Sequence, residues 1–205
     1  MMWKKPFVKR KTEIIDPNNN DITLHEVIKN SYKKEKAKTI KGYDLDPELS
    51  NHNQQVYYNK NNKKLLYSVT GTHNLADVGT DIMLGLGRIK NTNRYKEADD
   101  TLKKAKTKYG VDNATIASHS LGGSIGGLIG SGNDTIYSLD KGAVGQKTRP
   151  NENNLRTQGD LVSIFSRNDK NTTNFINPNE PSGRFIKDAV NAHAVDTLPK
   201  NITII

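Results

Sequence analysis

A chain of 205 residues with 33% hydrophobic and 26% charged residues has room for one domain plus extensions, not for two full domains. It contains no cysteine, which excludes a disulfide framework, a thiolate nucleophile and any Cys-based metal site. The net charge of +9 is mainly an N-terminal property: residues up to Lys41 hold 11 Lys/Arg against 5 Asp/Glu, and the remainder is nearly balanced at 20 against 17.

In chain order, residues 1 to about 21 read as a basic extension ending in the turn-forming run Asp16-Pro17-Asn18-Asn19-Asn20-Asp21. No apolar run of signal-peptide or membrane-spanning length follows the basic start, so classical secretion is not expected. Leu24, Val27, Ile28 and Tyr32 recur at helical spacing and predict a helix from Thr23 to about Lys38. Gly42–Pro47 reads as a loop. This divides the chain into a basic N-terminal extension and helix (1–45) and a main domain (46–205).

Gln55–Tyr58 and Leu65–Val69 predict two strands joined by the polar turn Asn59–Lys63. Tyr95, Ala98, Leu102, Ala105 and Tyr109 mark an amphipathic helix, with Gly110 where its C-terminus needs a left-handed residue. Strands then follow at Thr115–Ser118, Thr135–Leu139 and Leu161–Phe165, with a Gly-rich helix at Leu121–Gly130. The Pro- and Asn-rich segment Arg167–Arg184 reads as a long loop, and Phe185–Ala194 as a helix. Alternating strands and helices predict an α/β fold, a mostly parallel sheet with helices on both faces.

The segment Ala114–Gly123 carries the chemistry. A β-branched strand runs into Ser118-His119-Ser120-Leu121-Gly122 and then a helix, the small-x-Ser-x-small pattern of a nucleophile elbow. The turn is tight enough that bulky residues two places either side of the nucleophile clash, and it lifts the Ser120 hydroxyl above the sheet. The helix behind it aims free amides at developing negative charge, which makes the N–H of Leu121 one candidate oxyanion donor. A phosphate-binding loop is the rival for such glycine density, but no Gly-Lys-Ser/Thr follows.

A serine hydroxyl needs a base, and the base needs an acid to fix its tautomer. His193 is the only histidine after Ser120, as the chain order Ser, acid, His requires. Asp134, Asp140, Asp160, Asp169 and Asp188 lie between them. Asp160, in Gln158-Gly159-Asp160-Leu161-Val162, is preferred on local pattern, with Asp140 at the end of the preceding strand as runner-up. Upstream, the strand Leu65–Val69 leads into Thr70-Gly71-Thr72, where glycine permits close approach and Thr72 can supply a second oxyanion donor.

Together these pieces resemble the class 3, fungal-lipase-like family of α/β hydrolases over roughly residues 55–195. Val69–Thr72 looks like the family's oxyanion strand, Asp77 and Asp81 resemble the stretch around its lid, and Ser118–Gly123 its Gly-His-Ser-Leu-Gly-Gly elbow. Gly159–Val162 is similar to its Asp-Pro-Val acid motif, which moves Asp160 ahead of Asp140, and Ala192-His193-Ala194 stands where its catalytic histidine does. Val69-Thr70 replaces the usual aromatic-Arg pair, and Leu161 the Pro after the acid.

The short, cysteine-free chain looks more like the compact members encoded by some large DNA viruses. The resemblance implies a compact α/β hydrolase that cleaves carboxyl esters, with lipids as substrates, through an acyl-enzyme and without metal or cofactor. It also implies an intracellular or virion-associated setting. The basic N-terminus offers a surface to an anionic membrane, to virion assembly partners or, less favourably, to nucleic acid. Ile82, Met83, Leu84, Leu86 and Ile89 read either as core helix or as a lipid-facing lid. A structural or assembly protein on the same scaffold, its chemistry incidental or lost, is the alternative function.

Overall fold

The computed structural model describes residues 21–72, 86–142, 148–167, 169–179 and 182–205. The basic extension, the lid-like stretch around Asp77 and Asp81, and Ile82, Met83 and Leu84 lie outside the described residues.

Helix α1 (Leu24–Tyr32) opens on Thr23, whose Oγ1 accepts the N–H of Glu26 at 3.3 Å, in the Thr-x-x-Glu order of a capping box. Leu24, Val27 and Ile28 are buried along one stripe. The helix stops at Tyr32 rather than Lys38 because the next turn, Lys33-Lys34-Glu35-Lys36, gives that stripe nothing apolar to continue with. The predicted loop at 42–47 is in part a hairpin: β1 (Thr39–Ile40) and β2 (Tyr43–Leu45) pair across Lys41 and Gly42, both at positive φ (43° and 84°). Two successive left-handed residues match the twist of a two-residue hairpin.

Strands β3 (Gln54–Asn59) and β4 (Lys64–Val69) form the predicted antiparallel pair, with the Asn59 side chain accepting the N–H groups of Asn61 and Asn62 to shape the turn. Helix α2 (Asn93–Tyr109) ends on Gly110 at φ 63°. Then come β5 (Thr115–His119), α3 (Leu121–Ile129), β6 (Thr135–Leu139), β7 (Glu152–Thr157), β8 (Thr172–Phe175) and α4 (Phe185–Ala192).

Among the described residues the eight strands make one sheet in chain order, antiparallel from β1 to β4 and parallel from β4 to β8. Parallel strands that neighbour each other in chain order, joined by right-handed crossovers, drop their helices on one face. On that face Ala98, Leu102 and Ala105 of α2 and Ile125 of α3 pack against Val56, Leu65, Tyr67, Val69, Ile116 and Ile136. The alternate residues Tyr57, Leu66, Ala117, Leu139 and Leu155 face the other way. There α1 covers them together with Leu198 and Ile204 of the C-terminal segment. The result is an α/β-hydrolase-like architecture with helices on both faces. Residues 21–45 take part in it fully, since α1 belongs to the second core and β1 and β2 to the sheet. Ile89, the one member of its apolar cluster whose side chain is described, is buried in the first core.

One predicted strand is corrected. Leu161–Phe165 is a turn followed by a short 3-10 segment (Ile164–Ser166), because the Asp160 carboxylate accepts the N–H groups of Val162 and Ser163 and curls the chain. The strand beside β6 is instead β7, Glu-Asn-Asn-Leu-Arg-Thr, five of whose six residues are buried. Its polar side chains have inward partners. Glu152 pairs with the fully buried Lys141 at 2.6 Å, Asn154 donates to Thr172, and Arg156 donates to the carbonyls of Asp160 and Ser163. Hydrophobic periodicity is blind to such a strand. The loop Arg167–Arg184 likewise contains the edge strand β8.

The glycines of α3 are explained by what they touch. A Cβ at Gly122 would lie 2.6 Å from the Thr70 carbonyl oxygen, and one at Gly126 would lie 2.8 Å from Ser118 Oγ. One turn-face over, Gly127 leaves room for the Lys141–Glu152 pair, with a Cβ there 3.0 Å from both Lys141 Nζ and Glu152 Oε1. The helix therefore lies closer to the sheet than any side chain would permit, and its N-terminus reaches the end of β4.

Candidate active site

Ser120 is the turn between β5 and α3. It adopts φ 58° and ψ −125°, a conformation that costs a non-glycine residue about 1–3 kcal/mol. Its backbone is held from both sides: its N–H donates to the Leu139 carbonyl at 2.9 Å, and its own carbonyl accepts from Gly123, Ser124 and Gly142. The strand end after β4 closes on it so tightly that a Cβ at Gly71 would lie 2.8 Å from Ser120 Cβ and 2.9 Å from the His119 carbonyl oxygen. Thr72, the next residue, is half-buried, and Leu121 is the first residue of α3, where N–H groups have no intrahelical acceptor. Both candidate oxyanion donors are thus attached to segments that border Ser120.

His193 caps the C-terminus of α4 and reaches back to the elbow. Its Nε2 lies 2.8 Å from Ser120 Oγ and its Nδ1 lies 2.9 Å from Asp160 Oδ1. Asp160 sits in the tight turn after Gly159 (φ 92°), and its second oxygen accepts the N–H of Ser163 at 2.8 Å and the Ser163 hydroxyl. Ser120, Asp160 and His193 are all buried. Burial by itself pushes the Asp160 carboxyl up, but the hydrogen bond and charge of His193 and the donors of Ser163 outweigh it and hold the carboxyl below its ordinary range. Burial likewise pushes the His193 imidazole down, and the Asp160 hydrogen bond and charge outweigh that and raise it. The pair therefore favours a carboxylate beside an Nδ1–H imidazole, which leaves Nε2 as an acceptor for the serine proton. Asp140 does not hold Nδ1; it bonds Thr157 instead.

No family model matches the chain, and the search of curated proteins found no match. Among solved structures the chain is similar to the Lip2 lipase of Yarrowia lipolytica, with 16% identity and a TM-score of 0.48 over 68% of this chain and 70% of that one.

Around these three residues lies a second layer that the sequence does not announce. Tyr32, the last residue of α1, accepts the Gly71 N–H at 2.9 Å and donates its hydroxyl proton to His119 Nδ1 at 2.6 Å. His119 Nε2–H in turn donates to the His193 carbonyl at 3.0 Å. Burial, with the neighbouring His193, drives the His119 pKa down to about 3, so this imidazole stays neutral and its two roles stay fixed. Arg94 of α2 donates to the Thr70 carbonyl at 2.6 Å and holds the same strand end from the other side. No spacing rule connects a tyrosine at residue 32 with a histidine at 119. Replacing Tyr32 by Phe removes the donor to a buried ring nitrogen, so unfolding in urea should show a loss of about 1–3 kcal/mol. An unchanged midpoint and slope would mean that His119 and Gly71 find other partners.

Among the described residues, His119, Asp140 and His193 place one donor atom each within 4.8 Å of one another. Both nitrogens of each histidine and both Asp140 oxygens already have protein partners, so a cation there would have to displace them.

Proposed function

We propose that the protein is a serine ester hydrolase of lipase or phospholipase type. In this reading Ser120 is the nucleophile, His193 the general base and Asp160 the acid that orients it. The observation that supports it is the continuous chain Ser120 Oγ, His193 and Asp160, at 2.8 and 2.9 Å, on a strained serine at the N-terminus of a helix.

The Ser120 oxygen attacks the ester carbonyl carbon while its proton passes to His193 Nε2. The resulting imidazolium is stabilised by the Asp160 carboxylate through Nδ1–H. The carbonyl oxygen becomes an oxyanion facing the Leu121 N–H and the donors of Thr72. Collapse breaks the ester C–O bond, His193 returns its proton to the leaving alcohol, and an acyl-serine remains. A water, deprotonated by the same imidazole, then releases the carboxylic acid and restores Ser120. No step requires a metal. Lipid esters are the proposed substrate class on the likeness of Ser118–Gly123 and Gly159–Val162 to the lipase motifs.

The test is labelling of purified protein with a fluorophosphonate probe, together with hydrolysis of p-nitrophenyl esters of short and long chain, with detergent present for the latter. Labelling confined to Ser120, with turnover of at least one ester, is the expected result. Failure of both would leave the scaffold reading.

A further inference from the structure

The molecule carries a second buried carboxylate beside the imidazole that the mechanism above does not use. Asp140 follows β6, is fully buried, and adopts φ 45°, a left-handed conformation that Asp tolerates better than most residues with a Cβ. Its oxygens accept the Thr157 N–H at 2.6 Å, the Thr157 hydroxyl at 3.0 Å and the Ser163 hydroxyl at 3.4 Å. The Ser163 hydroxyl also reaches Asp160, so a single serine oxygen separates the two carboxyl groups. An Asp140 oxygen lies within 4.8 Å of a ring nitrogen of His193.

We infer that Asp140 is a positioning residue for His193: a reserve carboxylate that shares the charge of the imidazolium with Asp160 and partly replaces Asp160 when that residue is lost. The inference rests on the Ser120–His193–Asp160 reading. Three observations support it. A carboxylate buried completely carries a desolvation cost that calls for a compensating charge, and a His193 ring nitrogen lies within 4.8 Å of it. The groups that face Asp140 are Asp160 in the turn after β7, His193 after α4, His119 at the end of β5 and Arg156 on β7. Of these the imidazole is the one whose charge changes during acyl transfer. Burial and the charge of Asp160 push the Asp140 carboxyl up while the His193 charge pulls it down, so the two carboxyls and the imidazole titrate as one coupled group.

The experiment is a double-mutant cycle on the full chain with Asp140→Asn, Asp160→Asn and both, measuring kcat and KM separately for a soluble p-nitrophenyl ester. Asp140→Asn alone should lower kcat by about two- to five-fold with KM little changed, and should cost about ten-fold or more in the Asp160→Asn background. Asp140 raises the His193 pKa, so Asp140→Asn should also move the acid limb of kcat/KM to lower pH. Equal losses in both backgrounds with an unmoved acid limb would show a merely structural role and overturn the inference.

Two measurements cover the remaining cases. If Asp140→Asn does not fold, Asp160→Asn alone decides: a kcat as low as that of Ser120→Ala means no second carboxylate serves His193. If the wild-type protein hydrolyses no ester, NMR titration of labelled histidines in wild type and Asp140→Asn reads the same coupling without substrate. A downward shift of the His193 pKa supports the inference, and an unmoved one overturns it while saying nothing for or against ester hydrolysis.

Discussion

Ser120→Ala is expected to lower kcat/KM for a p-nitrophenyl ester by about 10⁴-fold or more and to abolish fluorophosphonate labelling. The size follows from what Ala lacks: no other hydroxyl is bonded to His193 Nε2 among the described residues. Stability should fall by no more than about 1–3 kcal/mol, the cost of leaving the buried His193 Nε2 without its donor, because the ties to Leu139, Gly123, Ser124 and Gly142 are made by the backbone of residue 120. Alanine retains the Cβ that packs against Gly71 and keeps the strained turn intact. Thermal unfolding and probe labelling on the same preparation separate the two effects. Labelling that persists in Ser120→Ala would place the nucleophile elsewhere.

What the sequence made legible was whatever a local pattern encodes. The elbow is readable because sterics force small residues at 118 and 122, and the structure shows the reason: Gly122 lies on the Thr70 carbonyl and Ser118 lies under Gly126. Helix α2 is readable because Ala98, Leu102 and Ala105 repeat at helical spacing and Gly110 ends it. Strand β7 is not, because apart from Leu155 its buried residues are polar and are satisfied by Lys141, Thr172 and Asp140, partners that lie outside its local pattern. For the same reason the preference for Asp160 rests on a local motif, whereas what brings it to the imidazole is a 2.9 Å contact with a residue 33 positions away. The contribution of α1 was hidden most completely. Its last residue, Tyr32, touches both Gly71 and His119, so a helix grouped by composition with a basic tail is in fact a wall of the site.

His193→Ala is the second large effect. The loss in kcat should again be about 10⁴-fold or more, and Ser120→Ala combined with His193→Ala should be scarcely worse than either alone, since a serine without its base and a base without its serine are equally idle. Losses that multiply would mean the two side chains act independently and would break the mechanism. The pH dependence of the wild type follows from the same residue. Only neutral His193 can take the serine proton, so kcat/KM should fall as pH drops through its pKa. Burial alone would lower that pKa. The Asp160 hydrogen bond, the Asp160 charge and the Asp140 charge together more than offset burial, so the acid limb should lie above the ordinary imidazole value of 6.5. The carboxylate of Asp160, held low, stays ionised across this range and adds no limb of its own near neutrality. A half-maximal point clearly below 6.5 would show that burial prevails and that the Asp160–His193 contact does not carry the charge assigned to it here.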